Sequence, residues 1–242
     1  MANSLADRER ELSAIFEPHF DTLGFEQVEP LIFSRREISK TELVRFPARL
    51  QRKVVVLNAN AAIRFNQIES LLGEERELYP TVVVPIHWLR PDRKIVEWAF
   101  DPAHVEQLVK AVFKDIHELV IPFFRKLVTL EDLKVQFLTE IEFFRSLRER
   151  KERANSEAEK REIDIQAAKD PFVRLNIDPV TRIKELAAIY VIEGKKDLAR
   201  LLIDNAIAEI EETVPPIRQA GRRRLFEDLA VTLGLNKGPG AD

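Results

Sequence analysis

Apolar positions alternate with polar ones in short runs over the first hundred residues, then recur at helical spacing almost without interruption from Asp101 onward. That change of period predicts an α+β protein with a helical second half. Before the switch, Leu5, Leu12, Ile15, Phe16, Phe20 and Leu23 predict an N-terminal helix capped by Ser4 and stopped by Gly24. Pro18 lies inside that pattern and predicts a kink or a restart. Runs at Phe25 to Arg36, Thr41 to Phe46 and Lys53 to Phe65 predict strands, the last holding the β-branched Val54, Val55 and Val56. Thr81 to Trp88 and Lys94 to Phe100 flank Pro91-Asp92 and predict a hairpin, with Pro85 confining its strand to an edge or a bulge. Asn66 to Leu72 predicts one or two helical turns ended by Gly73.

After the switch, Asp101-Pro102 reads as a helix start. Val105, Leu108, Val112, Ile116, Val120, Phe123 and Leu127 form one stripe that can cover a sheet, with a bend at Pro122. Thr129 and Asp132 match a capping box for a further helix, whose stripe is Leu133, Phe137, Ile141, Phe144 and Leu147. Three more helices are predicted over 179–193, 195–213 and 217–233. The expected fold is a mainly antiparallel sheet of four to five strands covered by a long kinked helix, followed by a C-terminal helical bundle or hairpin. The expected organisation is an α+β domain over 1–150, a charged helical linker over 151–177, a helical domain over 178–235 and a disordered tail over 236–242.

Charge sharpens this picture mainly by exclusion. Of 242 residues, 33% are charged, yet the formal net charge is only -3, unlike a protein that captures nucleic acid by bulk electrostatics. From Glu142 to Glu162 seven basic and six acidic side chains interleave as in a solvated helix. The absence of cysteine removes disulfides, thiol nucleophiles and thiolate metal sites, and fits a reducing compartment. The N-terminal residues turn charged at once, with no signal-peptide pattern, and no apolar run is long enough for a bilayer. The expectation is a cytoplasmic protein without a membrane partner.

Two stretches carry a family resemblance. Leu23-Gly24-Phe25 followed by Ile32-Phe33-Ser34-Arg35-Arg36, and Val120-Ile121-Pro122-Phe123-Phe124-Arg125-Lys126-Leu127 followed by Thr129-Leu130-Glu131-Asp132-Leu133, resemble a bacterial family catalogued as domain of unknown function 4304. The resemblance covers about the first 135 residues, and the strand bearing Trp98 followed by a proline-kinked helix is similar in order. It departs at Phe46-Pro47-Ala48-Arg49, where a polar, glutamine-bearing strand is usual. It implies a fold and no activity. Tyr190, Gly194, Ala199 and Ala206, at spacings of four, five and seven, resemble one tetratricopeptide-type unit, although a second copy 34 residues on does not fit.

Candidate chemistry is sparse. His19, His87, His104 and His117 form no helical ligand pair and no zincin spacing. His87, beside Trp88, is the most site-like of them, and no cofactor or metal is expected. No phosphate-cradling glycine pattern or serine nucleophile elbow is present. Arg222, Arg223 and Arg224 form the one dense basic cluster and, with Tyr190, are the candidate interaction residues. The leading expectation is a non-enzymatic protein–protein interaction or scaffold protein of regulatory or immunity type, acting with a protein partner or as a homo-oligomer. The alternatives are a hydrolase-like enzyme with a carboxylate or histidine site assembled by the fold, and nucleic-acid binding through the arginine cluster.

Overall fold

The computed structural model describes residues 4–52, 54–73, 80–92, 94–167, 179–213 and 216–235. The protein is α+β, and its chain divides into two compact units: Met1–Asn66 with Leu78–Val128, and Gln67–Glu77 with Thr129–Asp242. The boundary expected near residue 150 falls inside a single helix, α6 (Leu130–Arg153), which belongs to the second unit. The tail over 236–242, the stretch 168–177 of the expected linker and residue 178 lie outside the described residues.

In the first unit, α1 (Leu5–Asp21) opens with a capping box between Ser4 and Asp7. It runs unbroken through Pro18, which removes the one bond that an N–H there would donate to the Ala14 carbonyl and lies within a turn of the helix end. β1 (Glu26–Glu29), β2 (Ile32–Arg36), β3 (Lys40–Arg45), β6 (Asn60–Phe65) and β7 (Val82–Pro85) form an antiparallel five-stranded sheet in that order. β4 (Ala48–Gln51), β5 (Val54–Leu57) and β8 (Trp98–Phe100) form a second, three-stranded antiparallel sheet. The core lies where α1 lays Leu12, Phe16 and Phe20 against Phe33, Phe46 and Phe113, all buried. The rings of Phe20 and Phe33 stack at 4.1 Å, and Phe20 meets Phe113 edge-on at 5.0 Å.

Three expectations are corrected. Phe25 to Arg36 is two strands, because the chain reverses at Leu31, which holds φ at 60°. Burial of that side chain and a 2.7 Å bond from its N–H to Ser13 Oγ sustain a conformation leucine rarely adopts. Lys53 to Phe65 contains two strands belonging to different sheets, parted at Asn58-Ala59. The predicted hairpin around Pro91 does not form: β7 pairs with β6, and β8 with β5. Pro85 ends the β7 ladder, and α3 (Ile86–Leu89) follows it at once. β7 does lie at a sheet edge, where a residue lacking N–H is tolerated.

The long helix is built in pieces. Asp101 caps a 3₁₀ turn at Pro102–His104, and α4 (Val105–Asp115) passes through a π-helical turn at Ile116–Val120 into α5 (Ile121–Lys126). The wide turn, in which Ile121 N–H donates to Ile116 O, comes just before Pro122, whose missing N–H would otherwise interrupt a regular helix.

In the second unit α2 (Asn66–Leu71) contributes its later residues, and α7 (Glu157–Ala167) follows α6. α6 and α9 (Lys196–Thr213) both pack on α8 (Pro179–Ile192), and α10 (Pro216–Thr232) packs on α9. Ala187, Ala188, Ala199 and Ala206 are buried at these contacts, where small side chains let helix axes approach. Among the described residues no helix is long and apolar enough to cross a membrane.

Candidate functional site

In the second unit, α6, α8 and α9 enclose a cleft of about 520 Å³. Its apolar lining is Ile141, Ile183 and Ala208, and its polar lining includes Arg145, Arg148, Glu149, Glu152, Arg182 and Glu209. The α6 contributors recur at three- and four-residue intervals, which places them along one stripe of the helix. Arg148 ties the walls together, its guanidinium 2.5 Å from Glu209 of α9 and 2.8 Å from Glu152 of its own helix. Charges of both signs thus surround an apolar centre and largely neutralise one another.

Behind the cleft lies a buried ionic cluster. Arg182 Nε donates to Glu140 at 2.8 Å and its Nη1 to Glu185 at 2.6 Å, while the guanidinium lies over the Phe137 ring at 4.4 Å. Burial pushes the Glu185 carboxyl up to about 8, against the pull of Arg182, and the negative charges of Glu69 and Glu140 push in the same direction. The pair Arg182 and Glu185, three apart on a helix, is visible in the sequence. That Glu140 and Glu69 join it is not, since they come from α6 and α2.

The residues nominated from sequence do not converge here. His87 sits half-buried in α3 of the first unit, its ring 5.8 Å from that of Trp88, and lines neither this cleft nor the smaller hollow beside α10. Tyr190 is half-buried near the end of α8, where its carbonyl accepts the Lys195 N–H as the chain turns through Gly194. Arg222, Arg223 and Arg224 are exposed on α10. Arg223 pairs with Glu211 and Glu227 at 2.8 Å, and Arg224 lies 3.9 Å from Asp228, so acidic neighbours offset much of the cluster. Among the described residues no group of three or more His, Asp or Glu side chains could hold a metal ion.

No protein family, curated protein or solved structure matches the chain.

Proposed function

We propose that this is a non-enzymatic protein–protein interaction protein whose helical unit is the docking element. The observation that carries the reading is the outer face of α9. Leu198 and Leu201 stand 46% and 55% exposed one turn apart, opposite the buried Ala199, Ile203, Ala206 and Ile210. The same face continues into Asn205, Ala208 and Glu209 of the cleft. An apolar strip that runs into a groove rimmed by charges of both signs suits an amphipathic helix of a partner. Arg148 and Arg182 are held by Glu152, Glu209, Glu140 and Glu185, which supports recognition over catalysis.

The test is affinity capture with wild-type chain and with Leu198→Asp/Leu201→Asp, after circular dichroism has shown equal helix content. A partner retained by the wild type and lost by the double variant supports the reading. Identical capture by both would overturn it.

A second reading, an acid–base enzyme, draws on Glu185, whose carboxyl is pushed by burial up to about 8, the direction a general acid needs. The same carboxyl is buried and engaged with Arg182, which favours a structural role. Hydrolysis of model esters or glycosides that disappears in Glu185→Gln would reverse that preference.

A further inference from the structure

We propose that the outer face of α6 is a self-association surface, on which two copies of the chain pair this helix antiparallel about Leu138. The proposal rests on the interaction reading above and names one of its partners as a second copy of this chain.

The inner face of α6 is already used: Leu133, Phe137 and Glu140 are fully buried. Its outer face is apolar at the centre, with Val135 55% and Leu138 41% exposed and the half-buried Ile141 at its border with the cleft. Glu131 and Arg145 lie seven residues to either side of Leu138, so all three fall within about 20° of one line along the helix. Val135 and Ile141 lie three residues to either side, about 60° off that line on opposite flanks.

This arrangement is self-complementary under a two-fold axis through Leu138. An antiparallel second copy sets Leu138 against its own equivalent, and Val135 and Ile141 of both copies close over the leucine pair. At each end, Glu131 of one copy meets Arg145 of the other. Arg145, at the rim of the cleft, is exposed and has no ion-pair partner among the described residues, while Glu131 pairs with Lys134 of its own helix and keeps its side chain 63% exposed. A parallel pairing would oppose Glu131 to Glu131 and Arg145 to Arg145, so the charges select the antiparallel register. The seam spans about 21 Å, which buries less than the roughly 1,200 Å² of a standard interface. Association is therefore concentration-dependent.

The chain has no cysteine, so one introduced thiol reports the contact without background. Leu138→Cys is expected to form a disulfide-linked dimer under mild oxidation, at least tenfold faster than Leu198→Cys on α9 at the same concentration. Wild-type chain is expected to show a monomer–dimer equilibrium by sedimentation. Arg145→Glu shifts it to monomer, and Glu131→Arg/Arg145→Glu restores the dimer by exchanging the charges. Equal cross-linking of the two thiols, a wild type monomeric at every concentration, or failure of the double exchange to rescue would overturn the proposal. A partner still captured through Leu198 and Leu201 would then leave the broader interaction reading intact.

Discussion

Lys40 Nζ lies 2.8 Å from the carbonyl oxygen of Phe124, fastening strand β3 to the end of α5 through a lysine that is only 2% exposed. The same ammonium donates to Leu127 O at 3.2 Å and pairs with Glu42 at 2.8 Å, so all three of its protons are used. Two carbonyls at a helix C-terminus carry partial negative charge and want such a partner. Glu42, itself buried, also accepts from Arg35 Nε and Nη2 at 2.9 and 2.6 Å.

Replacing Lys40 by methionine keeps the stem and removes the charge. It strands Glu42 beside Arg35 alone and leaves two buried carbonyls without their donor. The expected loss is about 3–5 kcal/mol, the usual cost of removing one partner from a buried pair. Urea denaturation of Lys40→Met should show the lowered midpoint, and a midpoint within 0.5 M or so of wild type would count against this role.

The raised Glu185 carboxyl makes stability depend on pH in a definite direction. Its folded value of about 8 lies above the ordinary 4.5, so the folded state holds a proton that the unfolded chain releases. The contribution is complete below about 4.5 and is lost as pH rises through 8. Wild-type stability should therefore fall between pH 5 and 9, by an amount of order a few kcal/mol. Glu185→Gln, neutral throughout, should flatten that slope and be the more stable chain at pH 9. Parallel slopes for the two proteins in denaturant titrations would contradict the assignment.

Thr129 begins α6 with a reciprocal cap: Asp132 N–H donates to its hydroxyl at 3.1 Å, and its own N–H donates to the Asp132 carboxylate at 2.9 Å. Thr129→Ala should cost about 1 kcal/mol. Hydrogen exchange should localise the change to the first turn of α6, and an effect spread over the whole second unit would point to another cause.

Phe20 is the hub of the first unit's aromatic core, in ring contact with Phe25, Phe33, Phe46 and Phe113. Phe20→Ala should cost about 3–5 kcal/mol, since the four buried rings around it cannot all collapse into the space left. A thermal shift of only a degree or two would show that the core relaxes more freely than its packing indicates.

Much of this architecture can be read from residue order alone because its signals are local. The Ser4 and Thr129 caps, the stop at Gly24 with φ at 76°, the edge position forced by Pro85 and the stripe from Val105 to Leu127 each depend on neighbours a turn or two away. Helical period and capping chemistry determined the α+β class, the long broken helix and the three C-terminal helices. Only the tertiary structure decided which strands share a sheet. β5 and β6 are separated by two residues yet pair with different neighbours, a choice set by burial on both sides and invisible to period. The same holds for the cleft and its cluster. Arg182 and Glu185 are three apart in sequence, but Glu140 reaches them across 42 residues. Charge, unlike helical period, acts through space, so its partners are named only when the chain has folded.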